Sequence, residues 1–133
     1  MSSGQAQAEA SRELVQTMYD AAIDGETERF IACLADDLVV IEPSYLPYGG
    51  VHRGIDSFLA LFAEVGEYLD LGTLQLSGLV ADGEEVVAFL SVRSVKDRSE
   101  VQIAERSIVR DGKIVEMKVM FHELGGLLAD IRR

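Results

Sequence analysis

Glu42 stands where a side chain could do chemistry. It ends the apolar run Leu38-Val39-Val40-Ile41, and Pro43 and Pro47, the only prolines of the chain, follow within five residues. Tyr45, Tyr48, Gly49-Gly50 and Gly54 complete a stiff aromatic loop, after which a helical pattern starts at Ile55-Asp56-Ser57. A carboxylate closing an apolar strand beneath such a loop suggests the lip of a pocket. Removed from water, it would hold its proton to unusually high pH and act as a general acid or base. The alternative is a solvated strand end, or a carboxylate accepting N–H bonds from the loop. Tyr48, like Tyr45, either lids the pocket mouth or packs the loop.

Other chemistries find little support. The two histidines, His52 and His122, are far apart, and Cys33 is the single cysteine, so neither a zinc set nor an internal disulfide is expected. Cys33 lies in an apolar helical pattern and is expected to be a small buried side chain. His52 is expected to make a structural hydrogen bond, and His122 to lie on the surface or at an interface. The formal charge of −11, from 12 basic and 23 acidic residues, argues against nucleic acid and anionic membrane surfaces. Met1 to Gln7 lack a basic start and an apolar core, so no signal peptide is expected. No apolar run approaches the roughly 20 residues of a membrane helix. The expectation is a cytoplasmic protein with neither metal nor cofactor.

The elements that must position Glu42 follow from spacing. A length of 133 residues, 48% of them hydrophobic, fits one domain with one core. Residues 1–8 read as a frayed terminus and 9–133 as the domain. Leu14, Val15, Met18, Tyr19, Ala22 and Ile23 repeat at helical spacing from Glu9 to Ile23, and Asp24-Gly25 ends that helix. Thr27 is expected to cap a second helix with Phe30, Ile31, Cys33 and Leu34 on its apolar face, closed by Asp36-Asp37 before a strand from Leu38 to Glu42. Ile55, Phe58, Leu59, Leu61 and Phe62 make a third helix reaching Val65. Strand patterns then run Leu74 to Val80, Glu85 to Val95, Val101 to Arg110 and Lys113 to His122. Asp82-Gly83 and Asp111-Gly112 serve as hairpin turns, and Leu124 to Ile131 as a short helix or cap. Helices segregated from a hairpin-connected sheet make an α+β layout.

Five groups of residues occur in one order along nearly the whole chain: Tyr19 then Asp24-Gly25; Leu34-Ala35-Asp36-Asp37; Glu42-Pro43; Pro47-Tyr48-Gly49-Gly50-Val51-His52-Arg53-Gly54 leading into a helix; and Asp111-Gly112-Lys113-Ile114-Val115-Glu116 opening the last strand. Together they resemble the cystatin-like cone of the nuclear transport factor 2 superfamily, in its SnoaL-like polyketide cyclase and ketosteroid-isomerase-related branches. The resemblance implies three N-terminal helices on a curved antiparallel or mixed sheet enclosing a pocket, and a homodimer paired through the outer sheet face. It places Glu42 at the isomerases' general base, with glutamate in place of aspartate, and Tyr19 at their oxyanion-holding tyrosine. The isomerases' second acid falls near Ile103, with Glu105 two residues on, and their pocket methionine and aromatic correspond to Met117 and Phe121. Alternation along the strand adds Val115, Val119 and Glu123 to that face and puts Ile114, Glu116, Lys118, Met120 and His122 on the other. Related cyclases carry an acid near Glu123, which also fits a capping or surface role. Glu105 and Arg106 alternate, so one of them faces inward, where a charge needs a partner.

The expected function is cofactor-free proton transfer, of isomerase or cyclase type, on a small apolar carbonyl compound. Glu42 and Tyr19 would be catalytic, and Tyr48, Met117, Val119, Phe121 and Glu123 would bind substrate. Alternatives are a non-catalytic binding module with Glu42 as a polar anchor, a structural protein dimerising through its sheet, and epoxide-hydrolase chemistry, which needs paired acids around an arginine such as Arg106 or Arg93.

Overall fold

In the computed structural model, which describes residues 3–131, helix α1 runs Ser3–Asp24. It starts well before Ala8, where a frayed segment was expected; Met1 and Ser2 of that segment lie outside the described residues. Gln5 to Ala10 are mostly good helix formers, and a helix nucleated by its buried stripe extends through them at little cost. That stripe is Ser11, Val15, Met18, Tyr19 and Ala21. Gly25 adopts the left-handed conformation at φ +73°, and the next N–H, of Glu26, returns to the Ala21 carbonyl at 2.9 Å. Helix α2, Thr27–Ala32, follows directly, with Glu26 rather than Thr27 in the cap position and no side-chain cap. The glycine turn already sets the chain's direction there.

Strand β1, Leu34–Glu42, begins four residues earlier than its apolar run suggests. Its register with the last strand shifts between Leu34 and Val39, where Asp36 and Asp37 are exposed. The loop returns into β2, Gly50–Arg53, which pairs antiparallel with β1 as Ile41↔Val51 and Glu42↔Gly50. Four residues are too few for a periodic signal, and the sequence reads there as loop. Helix α3 spans Ile55–Val65. Strands β3 (Leu69–Asp82), β4 (Glu85–Ser94), β5 (Glu100–Arg110) and β6 (Lys113–Glu123) follow, and a 3-10 turn at Gly125–Asp130 closes the chain. β3 starts five residues before the expected Leu74; two register shifts against β4 blur its alternation.

The sheet order is β2-β1-β6-β5-β4-β3, with β1 and β6 parallel and every other pair antiparallel. The layout is thus the expected α+β cone of helices on a curved mixed sheet. Inward residues Val86, Ala88, Leu90 and Val92 of β4, Val101 and Ile103 of β5, and Met117 and Val119 of β6 pack with the α1 stripe. Phe30 of α2 stacks on Phe58 and tilts against Phe62 of α3, with ring centroids 5.6 Å apart in both pairs. Each such side chain contributes about 1.5–3 kcal/mol by leaving water, so the helices are held by their apolar faces.

β6 departs from simple alternation twice. Ile108 pairs with Glu116 and Val109 with Ile114; Gln102 pairs with Glu123 and Ile103 with Phe121. Val115 and His122 are therefore extra residues in bulges, and each resets which face its neighbours occupy. Ile114, expected on the outer face, is fully buried. Glu123, expected on the pocket face, is exposed.

Candidate functional site

A cavity of about 80 Å³ lies between the sheet, α1 and α3. Its walls are mostly apolar, and no Lys, Arg or His lines it among the described residues. Of the residues expected to form a site, Tyr19, Glu42, Tyr48, Met117, Val119 and Phe121 line it. Glu123 does not, because the bulge at His122 turns it to solvent beyond the cavity's end.

Glu42 reaches the cavity because β1 runs parallel to β6 through Val40↔Met117 and the inward phase of β1 continues to its last residue. It is 8% exposed, and its Oε1 is enclosed without a hydrogen-bond partner. Burial raises its pKa to about 8, and the nearby Glu105 carboxyl adds to the rise.

Glu105 is not among the residues expected to form the site, yet it supplies a second acid. The signal was present: Val101, Ile103 and Val109 set the inward phase of β5, and Glu105 shares it. The residue as a whole keeps some exposure, while its carboxyl group is enclosed. Tyr19 Oη donates to Glu105 Oε1 at 2.5 Å. Burial pushes the Glu105 pKa up, and the Tyr19 hydrogen bond, which favours the carboxylate, pulls against that. The Tyr19 hydroxyl is itself raised well above its ordinary value, first by burial and then by Glu105. Two neighbouring acids do not ionise independently. Glu105, with a donor, is the easier to charge; Glu42, with none, keeps the proton.

Tyr48 is 3% exposed, and its hydroxyl oxygen is enclosed with no partner. Burial and then the Glu42 charge push its pKa upward. Three features hold the ring inward. His52 Nε2–H donates to the Tyr48 carbonyl at 3.0 Å, and the Tyr68 ring lies 5.6 Å away, centroid to centroid. Gly49 permits the tight turn after it, since a Cβ there would run into the Pro43 carbonyl oxygen. Tyr45, by contrast, is 44% exposed.

The remaining charged candidates lie elsewhere. Arg106 points to the outer face, pairing with Glu85 at 3.0 Å and Glu116 at 3.5 Å. Arg93 is exposed and donates to the Arg98 carbonyl. With no arginine lining the cavity among the described residues, the acid–arginine arrangement that epoxide hydrolysis needs is absent there. His122 is exposed in its bulge, and Cys33 is buried outside the cavity.

Residues 15–117 match the sequence profile of the SnoaL-like domain family. No curated protein matches the chain. Similar folds occur in an NTF2-like protein of Burkholderia xenovorans (22% identity, TM-score 0.75, covering 94% of this chain and 98% of that one) and a candidate polyketide cyclase of Sinorhizobium meliloti (18%, 0.68, 81% and 94%). A candidate ketosteroid isomerase of Kribbella flavida is comparable (19%, 0.73, 88% and 81%). At these identities the likeness concerns the fold. No helix among the described residues is long and apolar enough to cross a membrane.

Proposed function

The chain belongs to the SnoaL-like domain family, and on that premise we propose that it is a cofactor-free acid/base enzyme of isomerase or cyclase type, acting on a small, largely apolar carbonyl compound. The observation that carries this is Glu42: a carboxyl group in an apolar cavity, with no hydrogen-bond partner on Oε1 and its pKa raised to about 8. A general acid–base catalyst works best when its pKa lies near the working pH. At neutral pH, Glu42 carries a proton it can deliver, and the minor carboxylate form can take one from carbon beside a carbonyl.

The walls narrow the substrate. Two acids, and no cation among the described residues, make the cavity hostile to phosphates and carboxylates. The 80 Å³ space is about half the roughly 150 Å³ hole that accommodates benzene. A ring-sized substrate therefore requires the rim, where half-buried Phe62, Leu71 and Leu74 lie, to move aside.

The proposal includes a homodimer through the outer sheet face in a cytoplasmic setting. Phe89, Ala104 and Met120 form one row across β4, β5 and β6, and Phe89, Met120 and neighbouring Val80 are exposed. A second copy would cover them.

Deuterium uptake tests the chemistry without knowledge of the natural substrate. Small cyclic ketones in D2O, followed by proton NMR, should exchange their α-hydrogens faster with the protein present. Glu42→Gln should lower that acceleration about 100-fold, the lower range for a lost acid–base group. Acceleration unchanged in Glu42→Gln would end the proposed role of Glu42. Ketones that bind without any exchange would favour the second reading, a binding module with Glu42 as its polar anchor.

A further inference from the structure

Two hydroxyls reach the cavity, and they differ in one respect. The single proton of Tyr19 is committed to Glu105 at 2.5 Å, within the protein. Tyr48 Oη is enclosed and has no partner within the protein among the described residues. A buried hydroxyl without a partner costs about 1–3 kcal/mol, and the large majority of buried polar side-chain atoms have a hydrogen-bond partner, so an orphan calls for a reason. The only other orphaned buried side-chain atoms among the described residues are Glu42 Oε1, on the same cavity, and Ser107 Oγ, which does not line it.

We infer that Tyr48, and not Tyr19, is the donor that holds the ligand's oxygen, working beside Glu42, and that Tyr19 is a positioning residue acting through Glu105. This rests on the ligand-pocket part of the reading above and deepens it. The loop geometry supports the assignment: the His52 bond to the Tyr48 carbonyl, the Tyr68 ring and the Gly49 turn fix Tyr48 in place while leaving its hydroxyl uncommitted. Protonated Glu42 and Tyr48 are both neutral O–H donors, which suits one acceptor oxygen better than a charged group. The ligand class that follows is a neutral, flat, mostly apolar molecule with a single carbonyl or phenol-type oxygen. Tyr19 instead donates to the Glu105 carboxyl, a bond that favours its charged form against the upward push of burial, and a charge on Glu105 raises the Glu42 pKa.

The test uses three small fluorinated probes read by 19F NMR at pH 5.5: 4-fluorophenol, fluorobenzene and 4-fluorobenzylamine. Wild type should bind 4-fluorophenol more tightly than either of the others. Tyr48→Phe should weaken 4-fluorophenol about tenfold, the value of a hydrogen bond to a buried donor, and leave fluorobenzene unchanged. Tyr19→Phe should leave 4-fluorophenol within about twofold, yet raise the Glu105 titration midpoint followed by 13C-glutamate NMR. Thermal unfolding of both variants confirms that each probe meets a folded protein, and wild-type selectivity for 4-fluorophenol over fluorobenzene stands as a check needing no variant. An equal or larger loss in Tyr19→Phe, or no loss in Tyr48→Phe, overturns the assignment. So does an unmoved Glu105 midpoint, which would make Tyr19 merely structural. Tighter binding of the amine would replace the neutral ligand with a cationic one. Equal binding of phenol and fluorobenzene by wild type removes the oxygen anchor while leaving a ligand pocket. Binding of none of the three sinks the pocket reading itself.

Discussion

Tyr19 and Glu105 are 86 positions apart in the chain and meet through a 2.5 Å hydrogen bond that ties α1 to the middle of the sheet. The bond divides two similar acids into different roles. The acid that receives it ionises more readily; Glu42, on the same cavity without such a donor, keeps its proton.

The first consequence is a stability that falls as pH rises. Folding raises the Glu42 pKa from 4.5 to about 8, so between those values the folded state holds a proton that the unfolded state has lost. The Glu42 contribution is complete below about pH 4.5, declines through the window and levels off above about 8, a change on the order of a few kcal/mol. Urea unfolding at pH 5 and pH 8 should show this decline, and Glu42→Gln should flatten it. A Glu42→Gln variant with the wild-type slope would place the titration in another group.

Glu105→Gln should lower the Glu42 midpoint below about 8, because the Glu105 charge is the second cause of the rise. Burial is the first cause and persists, so the midpoint should stay above 4.5. Carboxyl 13C NMR of glutamate-labelled protein reads both values directly. An unmoved midpoint would mean that the two carboxyls do not sense each other.

Phenylalanine at the two cavity tyrosines should have opposite effects on folding. Tyr48→Phe removes a buried hydroxyl that has no partner, so stability should hold or rise by up to about 1 kcal/mol. Tyr19→Phe strips the buried Glu105 carboxyl of its donor, which should cost about 1–3 kcal/mol. Equal losses in both, by calorimetry at one pH, would show that the Tyr48 hydroxyl is satisfied within the fold.

Lysine at Phe89 or Met120 should leave the fold intact, since both side chains are exposed. If the outer face pairs two copies, Phe89→Lys together with Met120→Lys should yield monomers by light scattering. A wild type that is already monomeric at micromolar concentration would remove that interface.

Much of the architecture was legible because its causes are local. Asp82-Gly83 and Asp111-Gly112 carry turn chemistry, with Gly83 and Gly112 both at positive φ. Phe58 and Leu61 repeat at helical spacing, and Val86, Ala88, Leu90 and Val92 at strand spacing. The site was legible in part: Glu42 at its strand end and Met117, Val119 and Phe121 on one face follow from alternation. Glu123 departs from the same rule, because nothing local announces the bulge at His122. Glu105 escapes a local reading because a lone charged residue in an apolar strand phase has meaning only once its partner, Tyr19, is known.

The amino-acid order alone set the kinds of element, their succession and the acid that ends the first strand, because propensity and periodicity act over a few neighbouring residues. Folding in three dimensions decided which hydroxyl is spent and which stays free, where β6 changes face, and which carboxyl keeps its proton. Those outcomes depend on exclusion of water and on encounters between distant segments, such as Tyr19 with Glu105, and local sequence carries no record of either.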